Sequence, residues 1–347
     1  MTRNKKTLIW LIPIFFVLLI SIVAFNYISG EKGERGNIEK ERITIPKGAS
    51  AWKVAGILKE SGLIKDARRF VYHLKWRKSA NKLKSGTYEF TYSSSSKEIA
   101  DKIINGDELE VSITFPEGWT VYQIASEYMN QGICDSSLFV ESISDTELLS
   151  KLGLEDIPSL EGLLFPETYT FRMNQKAEKV IETMVNVFLE QTGQDWLTRT
   201  RESKGGLKSI ITLASIVQGE YQLIEEVGDI AALYSNRLSI GMKLQADPTI
   251  QYILPEGPRR LTHRDLRINS PYNTYRFKGL PPGPINNPGL PALIASLNPP
   301  DKPWIYMVAK GDGGHTFTTT YEDHLQAKKR LDAIRRQYDR EKRNEGK

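Results

Sequence analysis

The 347-residue sequence predicts an α+β protein: an N-terminal membrane helix, then a β-α-α module, then a mixed α/β domain. Three observations predict it. An uncharged apolar run opens the chain. A strand-turn-helix pattern recurs in the first half at an offset of 70 residues. Helical periodicities in the second half are broken by a proline-rich stretch at 240–290.

The membrane helix is read from Leu8 to Phe25, 18 residues without a charge. At 1.5 Å per residue the run reaches roughly 27 Å, close to the thickness of a bilayer core. A cleaved signal peptide is the rival reading, but Phe25-Asn-Tyr-Ile-Ser-Gly30 fits a small-x-small cleavage site poorly. Arg3, Lys5 and Lys6 precede the run, so the positive-inside rule puts the N-terminus in the cytoplasm. Residues 1–30 are thus read as a cytoplasmic stub and anchor in the inner membrane, with the rest of the chain extracytoplasmic. Residues 31–42 are charged and Gly-bearing, and read as a linker.

The repeat lies within a domain placed at 43–158. Ile43-Thr-Ile-Pro-Lys-Gly-Ala-Ser50 aligns with Ile113-Thr-Phe-Pro-Glu-Gly-Trp-Thr120, and the offset also holds for Val54/Ile124 and Gly62/Gly132. Each copy reads as a strand, a Pro-x-Gly turn, a Ser or Thr cap and an amphipathic helix ended by Gly. A second helical segment is expected after each, near 66–77 and 136–150. Residues 83–92 and 109–115 are expected to join the copies in one sheet. The β-α-α unit resembles the LysM-type fold, which implies glycan binding; a spacer or docking platform is the open alternative.

The next domain is placed at 159–327. It opens with Leu160-Glu-Gly-Leu-Leu-Phe-Pro-Glu-Thr-Tyr-Thr-Phe171. Helical patterns run near 176–192, 207–224 and 227–239. Trp304-Ile-Tyr-Met-Val-Ala309 reads as a buried strand, followed by a Gly311-Asp-Gly-Gly314 turn. Residues 328–347 are a basic tail, with nine Lys and Arg against four acids. They are expected to be a frayed helix or disordered.

Glu220 stands out within Ile211-Thr-Leu-Ala-Ser-Ile-Val-Gln-Gly-Glu-Tyr221. Leu213, Ile216 and Val217 share its face of the helix, and Leu223 and Ile224 are expected to continue the stripe. A carboxyl aimed among apolar groups has a raised pKa and can serve as a general acid near neutral pH. Periodicity alone leaves a second reading open, a Glu at the helix rim reaching water.

Downstream come Tyr234-Ser-Asn-Arg237, Leu244-Gln-Ala-Asp-Pro-Thr249, Ser270-Pro-Tyr-Asn-Thr-Tyr275, Gly279-Leu-Pro-Pro-Gly-Pro-Ile-Asn-Asn-Pro-Gly289 and Gly313-Gly-His-Thr-Phe317. With Ala214-Ser-Ile-Val-Gln-Gly-Glu220, these motifs resemble the endolytic murein transglycosylases, the YceG-like family, across most of residues 40–327. The family usually has Glu-Lys-Glu where this chain has Gln218-Gly219-Glu220; the first acid is missing and the second kept. The resemblance makes 159–327 the catalytic domain and Glu220 the catalytic acid. It implies cleavage of nascent peptidoglycan strands at the MurNAc-GlcNAc bond, with a 1,6-anhydro product and a limit on strand length. Gly219 is expected to mark a kink or a close approach of substrate to the backbone.

Sugar-positioning candidates are Tyr272, Asn273 and Tyr275, with Asn273 expected to hold an N-acetyl group; Gln245 and Asp247 have similar standing. A packed turn is the competing reading of this segment. His315 is a weaker candidate. No second carboxylate among Glu225, Glu226 and Asp247 has helical spacing to Glu220, which the family's one-carboxylate mechanism would not need.

Other classes are disfavoured. The body, residues 7–327, carries a net −3 and lacks a nucleic-acid binder's basic excess. Four scattered histidines and a single cysteine, Cys134, give no zinc motif and no intramolecular disulfide. No metal or organic cofactor is expected. The expected partners are glycan strands, the inner membrane and wall-synthesis (penicillin-binding) proteins. A muramidase-type hydrolase and a non-catalytic wall-synthesis scaffold remain as alternatives.

Overall fold

The computed structural model describes residues 19–23, 40–255 and 257–345. The apolar run expected to span the membrane lies outside these residues except for 19–23, which are helical and exposed. No described helix is long and apolar enough to cross a membrane.

The chain folds as two compact units. One runs up to Val111 and takes in Thr170–Asn174; the other comprises Ser112–Tyr169 and everything from Gln175. The expected boundary at 158/159 does not coincide with this division, which falls between the two copies of the repeat.

In the first unit, strand β1 (Lys40–Ile45) pairs antiparallel with β2 (Gly86–Thr91), from Lys40 opposite Thr91 to Ile45 opposite Gly86. Alternation turns Ile43 and Ile45 inward. They pack with Val54, Leu58, Phe70, Leu74, Tyr88, Phe90, Ile99 and Ile103 in one core. Helix α1 (Ala51–Glu60) is capped by Ser50, and α2 (Ala67–Trp76) by Asp66, whose carboxylate accepts from the Arg68 and Arg69 amides. Helix α3 (Ser96–Asn105) starts in a Ser95/Glu98 capping box and stops at Gly106, in the left-handed region.

The repeat has a structural counterpart. Strand β3 (Glu110–Thr114) leads through a turn with Gly118 at φ +80° to the Thr120 cap and α4 (Val121–Asn130). The first copy does the same with Gly48 at φ +75° and Ser50. Gly62 and Gly132 both take positive φ after their helices. Helix α2 follows in the first copy; α5 (Ser136–Ser142) and α6 (Thr146–Lys151) follow in the second. The expected common sheet is corrected: β2 pairs with β1, and β3 pairs with β4 (Thr168–Arg172). A hydrogen bond from the Leu109 amide to the Thr87 carbonyl, 2.7 Å, links the two segments without a ladder.

Helix α8 (Gly206–Glu220) is the centre of the second unit, packed by α7 (Ala177–Glu202), α9 (Val227–Ser239), α10 (Asp247–Ile253) and α11 (Leu290–Leu297). Helix α7 is broken at Gly193, φ +76°, where the expected helix ends. Helix α8 stops at Glu220 rather than 224, because Tyr221 is extended, at φ −82° and ψ 146°. Leu223 and Ile224 are therefore exposed, 40% and 54%, and do not extend the apolar stripe. Strands β5 (Tyr306–Ala309) and β6 (His315–Thr318) form an antiparallel hairpin against α12 (Tyr321–Glu345). Strand β5 is half-buried, not buried, as a two-stranded hairpin has no second sheet to cover it. The backbone of the expected tail continues α12 as helix to Glu345.

Candidate active site

The last two turns of α8 bury Leu213, Ile216 and Val217 and bring Glu220 to the lining of a groove of about 750 Å³. Glu220 is half-buried. Desolvation pushes its carboxyl up to about 7, helped by the nearby Asp247 charge. Three groups act the other way: the Tyr234 hydroxyl, the Arg237 guanidinium and the Asp247 backbone amide. Tyr234 is wholly buried on α9 and donates to Glu220 Oε1 at 2.6 Å. Its own ionisation is suppressed by burial and by the Glu220 charge.

Arg237 lies one turn further along α9, 7% exposed. Its Nε donates to the Ile305 carbonyl at 2.7 Å, and its Nη1 donates to the Leu244 carbonyl. The guanidinium thus fastens the approach to β5 and the loop before Asp247, while its charge acts on Glu220.

Asp247 opens α10, a helix that lies in the stretch expected to lack periodicity. Pro248 sits in its first turn, where its missing N–H costs nothing. The Tyr275 hydroxyl donates to Asp247 Oδ1. Helix α10 meets α8 at Gly219. A Cβ on Gly219 would lie 2.6 Å from Pro248 Cβ and 2.8 Å from Pro248 Cγ. The helix runs through Gly219 without the expected kink. The glycine is needed because a proline ring occupies the space of its side chain.

The other candidates divide. Asp247 lines the groove with Glu220, and Tyr275 holds Asp247. Tyr272 faces a smaller cavity of about 100 Å³ and packs its ring on Tyr252, centroids 5.0 Å apart. Gln245 is exposed in the left-handed region, φ 52°, and its backbone N–H donates to the Thr274 carbonyl at 3.2 Å. Asn273 is fully buried; its Nδ2 donates to the Leu266 and Ile268 carbonyls, and its Oδ1 accepts from the Tyr275 amide. Its amide is spent on the loop, so the expected grip on an N-acetyl group is corrected to a role in holding Tyr275. His315 is tied to Glu226, with Nδ1 2.8 Å from Oε2 and its backbone amide 2.7 Å from Oε1. Glu226 is buried in this pairing, and Glu225 is exposed.

Several supporting residues gave no sign in the sequence of a place at the groove. The second copy of the repeat supplies a groove wall through Gly118, Thr120, Tyr122 and Gln123. Tyr122 is 60% exposed there. Asn287 rivets that wall in place. Its amide group donates to the Trp119 carbonyl at 3.0 Å, and its Oδ1 accepts from the Gly162 and Leu164 amides at 2.8 and 2.9 Å. Gly162 takes φ +89°, and a Cβ there would meet Ile211 Cγ2 at 2.4 Å. Glu161 is 7% exposed and accepts from the Tyr252 hydroxyl at 2.9 Å and the Val121 amide at 3.3 Å. Burial raises its pKa, and those two donors oppose the rise. Tyr252 lines the main groove, so this carboxyl fixes a groove aromatic from behind. Among the described residues no three of His, Cys, Asp and Glu gather as a metal ion would need.

An acid near its neutral point, a second carboxylate beside it and a groove walled by tyrosines and prolines suit protonation of a glycosidic oxygen. The YceG-like family profile matches residues 43–330. A Bacillus subtilis protein named endolytic murein transglycosylase is 30% identical over 317 residues, covering 86% of this chain and 87% of that protein. A protein of the same name from Streptococcus pneumoniae is 28% identical over 81% of this chain; the chain spans 56% of that protein's length. The crystal structure of a yceG-like protein from Listeria monocytogenes superposes with a TM-score of 0.56 at 30% identity, over 83% of this chain and 98% of that one.

Proposed function

Because the chain belongs to the YceG-like family, we propose that it is an endolytic peptidoglycan transglycosylase with Glu220 as its catalytic acid. The observation that carries the residue assignment is the Glu220 carboxyl, poised at about 7 in the lining of the groove. An acid with that pKa is partly protonated at neutral pH, and its conjugate base still accepts a proton.

The reaction runs between N-acetylmuramic acid and N-acetylglucosamine. Glu220 gives its proton to the bridging oxygen as the C1–O bond breaks. Positive charge develops at the anomeric carbon, and the Asp247 side chain, which lines the groove with Glu220, stabilises it. The muramyl 6-hydroxyl then attacks C1, and Glu220 takes its proton. The product ends in a 1,6-anhydro ring, and no water is consumed. Tethering the nucleophile to the substrate supplies proximity. Tyr275 fixes Asp247, and Tyr122 and Tyr252 offer ring faces to neighbouring sugars.

The sequence supports an uncleaved N-terminal anchor, with the catalytic part held outside the inner membrane near newly made strands. Cutting within those strands limits their length, alongside wall-synthesis enzymes. The LysM-like repeat at 43–158 is assigned to strand positioning, its second copy as a wall of the groove itself, and 159–327 supplies Glu220 and Asp247 for the chemistry.

Asp247 also favours a second reading. A carboxylate beside the acid could activate water and give a reducing end. Mass spectrometry of products from uncrosslinked glycan strands separates the two. An anhydro end is lighter by one water, and only that product supports the first reading.

A further inference from the structure

We propose that the outer face of α2 docks the first unit onto an anionic phospholipid surface. Residues 47–84 hold eleven Lys and Arg against two acids, Glu60 and Asp66. The small net charge of the whole body conceals this segregation. Helix α2 buries Phe70, Val71, His73 and Leu74. Its opposite face carries Arg68, Tyr72, Lys75 and Trp76, all exposed. Their spacing of i, i+4, i+7 and i+8 makes one stripe. Tyr72 and Trp76 are 62% and 64% exposed. Lys65 and Lys78 extend the stripe at both ends and are also exposed. Asp66 is spent on the helix cap, and Arg77 is paired with Asp101.

Cations alone would fit any polyanion. Cations interleaved with Tyr and Trp fit the headgroup region of a bilayer, where amphipathic rings settle and Lys and Arg stems lie along apolar surface. The location agrees. Strand β1 begins at Lys40, and fourteen residues separate it from the end of the apolar run at Phe25. Such a stretch reaches no further than about 50 Å. This inference rests on the membrane part of the proposed function and not on the chemistry at Glu220.

The test places the full chain in nanodiscs of brominated phosphatidylcholine, with or without phosphatidylglycerol. The emission of Trp76 is taken as the difference between the chain and its Trp76→Phe variant. It should fall roughly twofold in the anionic discs, stay high in the neutral ones and recover in high salt. Arg68→Ser/Lys75→Ser/Lys78→Ser should abolish the quench, whereas the charge-conserving Arg68→Lys/Lys75→Arg should keep it, so misfolding cannot imitate the expected pattern. Equal emission in both kinds of disc overturns the proposal. So does protection of Trp76 from an aqueous quencher by a soluble teichoic-type polymer but not by lipid, which would assign the face to wall polymer. Cleavage assays of Glu220→Gln report separately on the catalytic reading.

Discussion

The Tyr234 hydroxyl donates to Glu220 Oε1 at 2.6 Å from a side chain with no exposure to solvent. The bond stabilises the ionised form of an acid that burial holds up at about 7. Tyr234→Phe removes that donor. The Glu220 pKa should rise further, and the alkaline limb of the rate-pH profile should move up with it. Stability should fall by about 1 kcal/mol, because a hydrogen bond from a buried donor to a half-buried carboxyl is lost. Rates measured across pH, with a melting curve, check both effects. An unmoved alkaline limb would show that Glu220 does not set it.

The raised pKa also links Glu220 to stability. The folded state binds this proton more tightly than the unfolded chain, whose carboxyl titrates near 4.5. Stability from this group is therefore present at low pH and lost as pH rises through the window from 4.5 to about 7. Glu220→Gln cannot ionise. Its melting temperature should exceed that of the unaltered chain at pH 8, and the gap should close toward pH 5. A gap of the same size at both values contradicts the account.

Gly219→Ala should destabilise, although alanine favours a helix by about 1 kcal/mol. The new methyl would stand 2.6 Å from a proline carbon. Forced overpacking costs about 1–3 kcal/mol, so the clash outweighs the propensity gain. The relief route moves α10, which carries the Asp247 amide away from Glu220, so cleavage should fall more than stability accounts for. Denaturant titration and initial rates on the same sample decide it.

Asn287→Ala strips the acceptor from two buried amides, Gly162 and Leu164, and the donor from Trp119. A loss of about 2–4 kcal/mol follows from orphaning groups in the interior. The groove wall built on the Trp119 turn should loosen, so the Michaelis constant for long strands should rise. An unchanged constant would mean that this wall does not touch glycan.

The repeat was legible because its parts are local. Pro46 and Pro116, Gly48 and Gly118, and Ser50 and Thr120 each act within a few residues, through turn geometry and capping. Glu220 was legible because Leu213, Ile216 and Val217 share its helix. What the chain hid was non-local. Asp247 reaches Glu220 only through the packing of α10 on Gly219, which no spacing along one helix reveals. Strand β3 finds β4 rather than β2, a choice made by tertiary packing. The end of α8 at Glu220 ran against Leu223 and Ile224, whose apolar character imitates a continuing stripe. Asn273 looked like a ligand because an exposed and a loop-stitching amide read the same in sequence.

The most direct measurement is strand cleavage by Glu220→Gln beside the unaltered chain, on uncrosslinked glycan with products weighed by mass spectrometry. The substitution keeps the shape and removes the proton donor. Anhydro-ended fragments should appear with the unaltered chain, and their rate should fall by roughly a hundredfold or more in the variant. Fragments released by the variant at the unaltered rate would contradict the account and place the acid elsewhere.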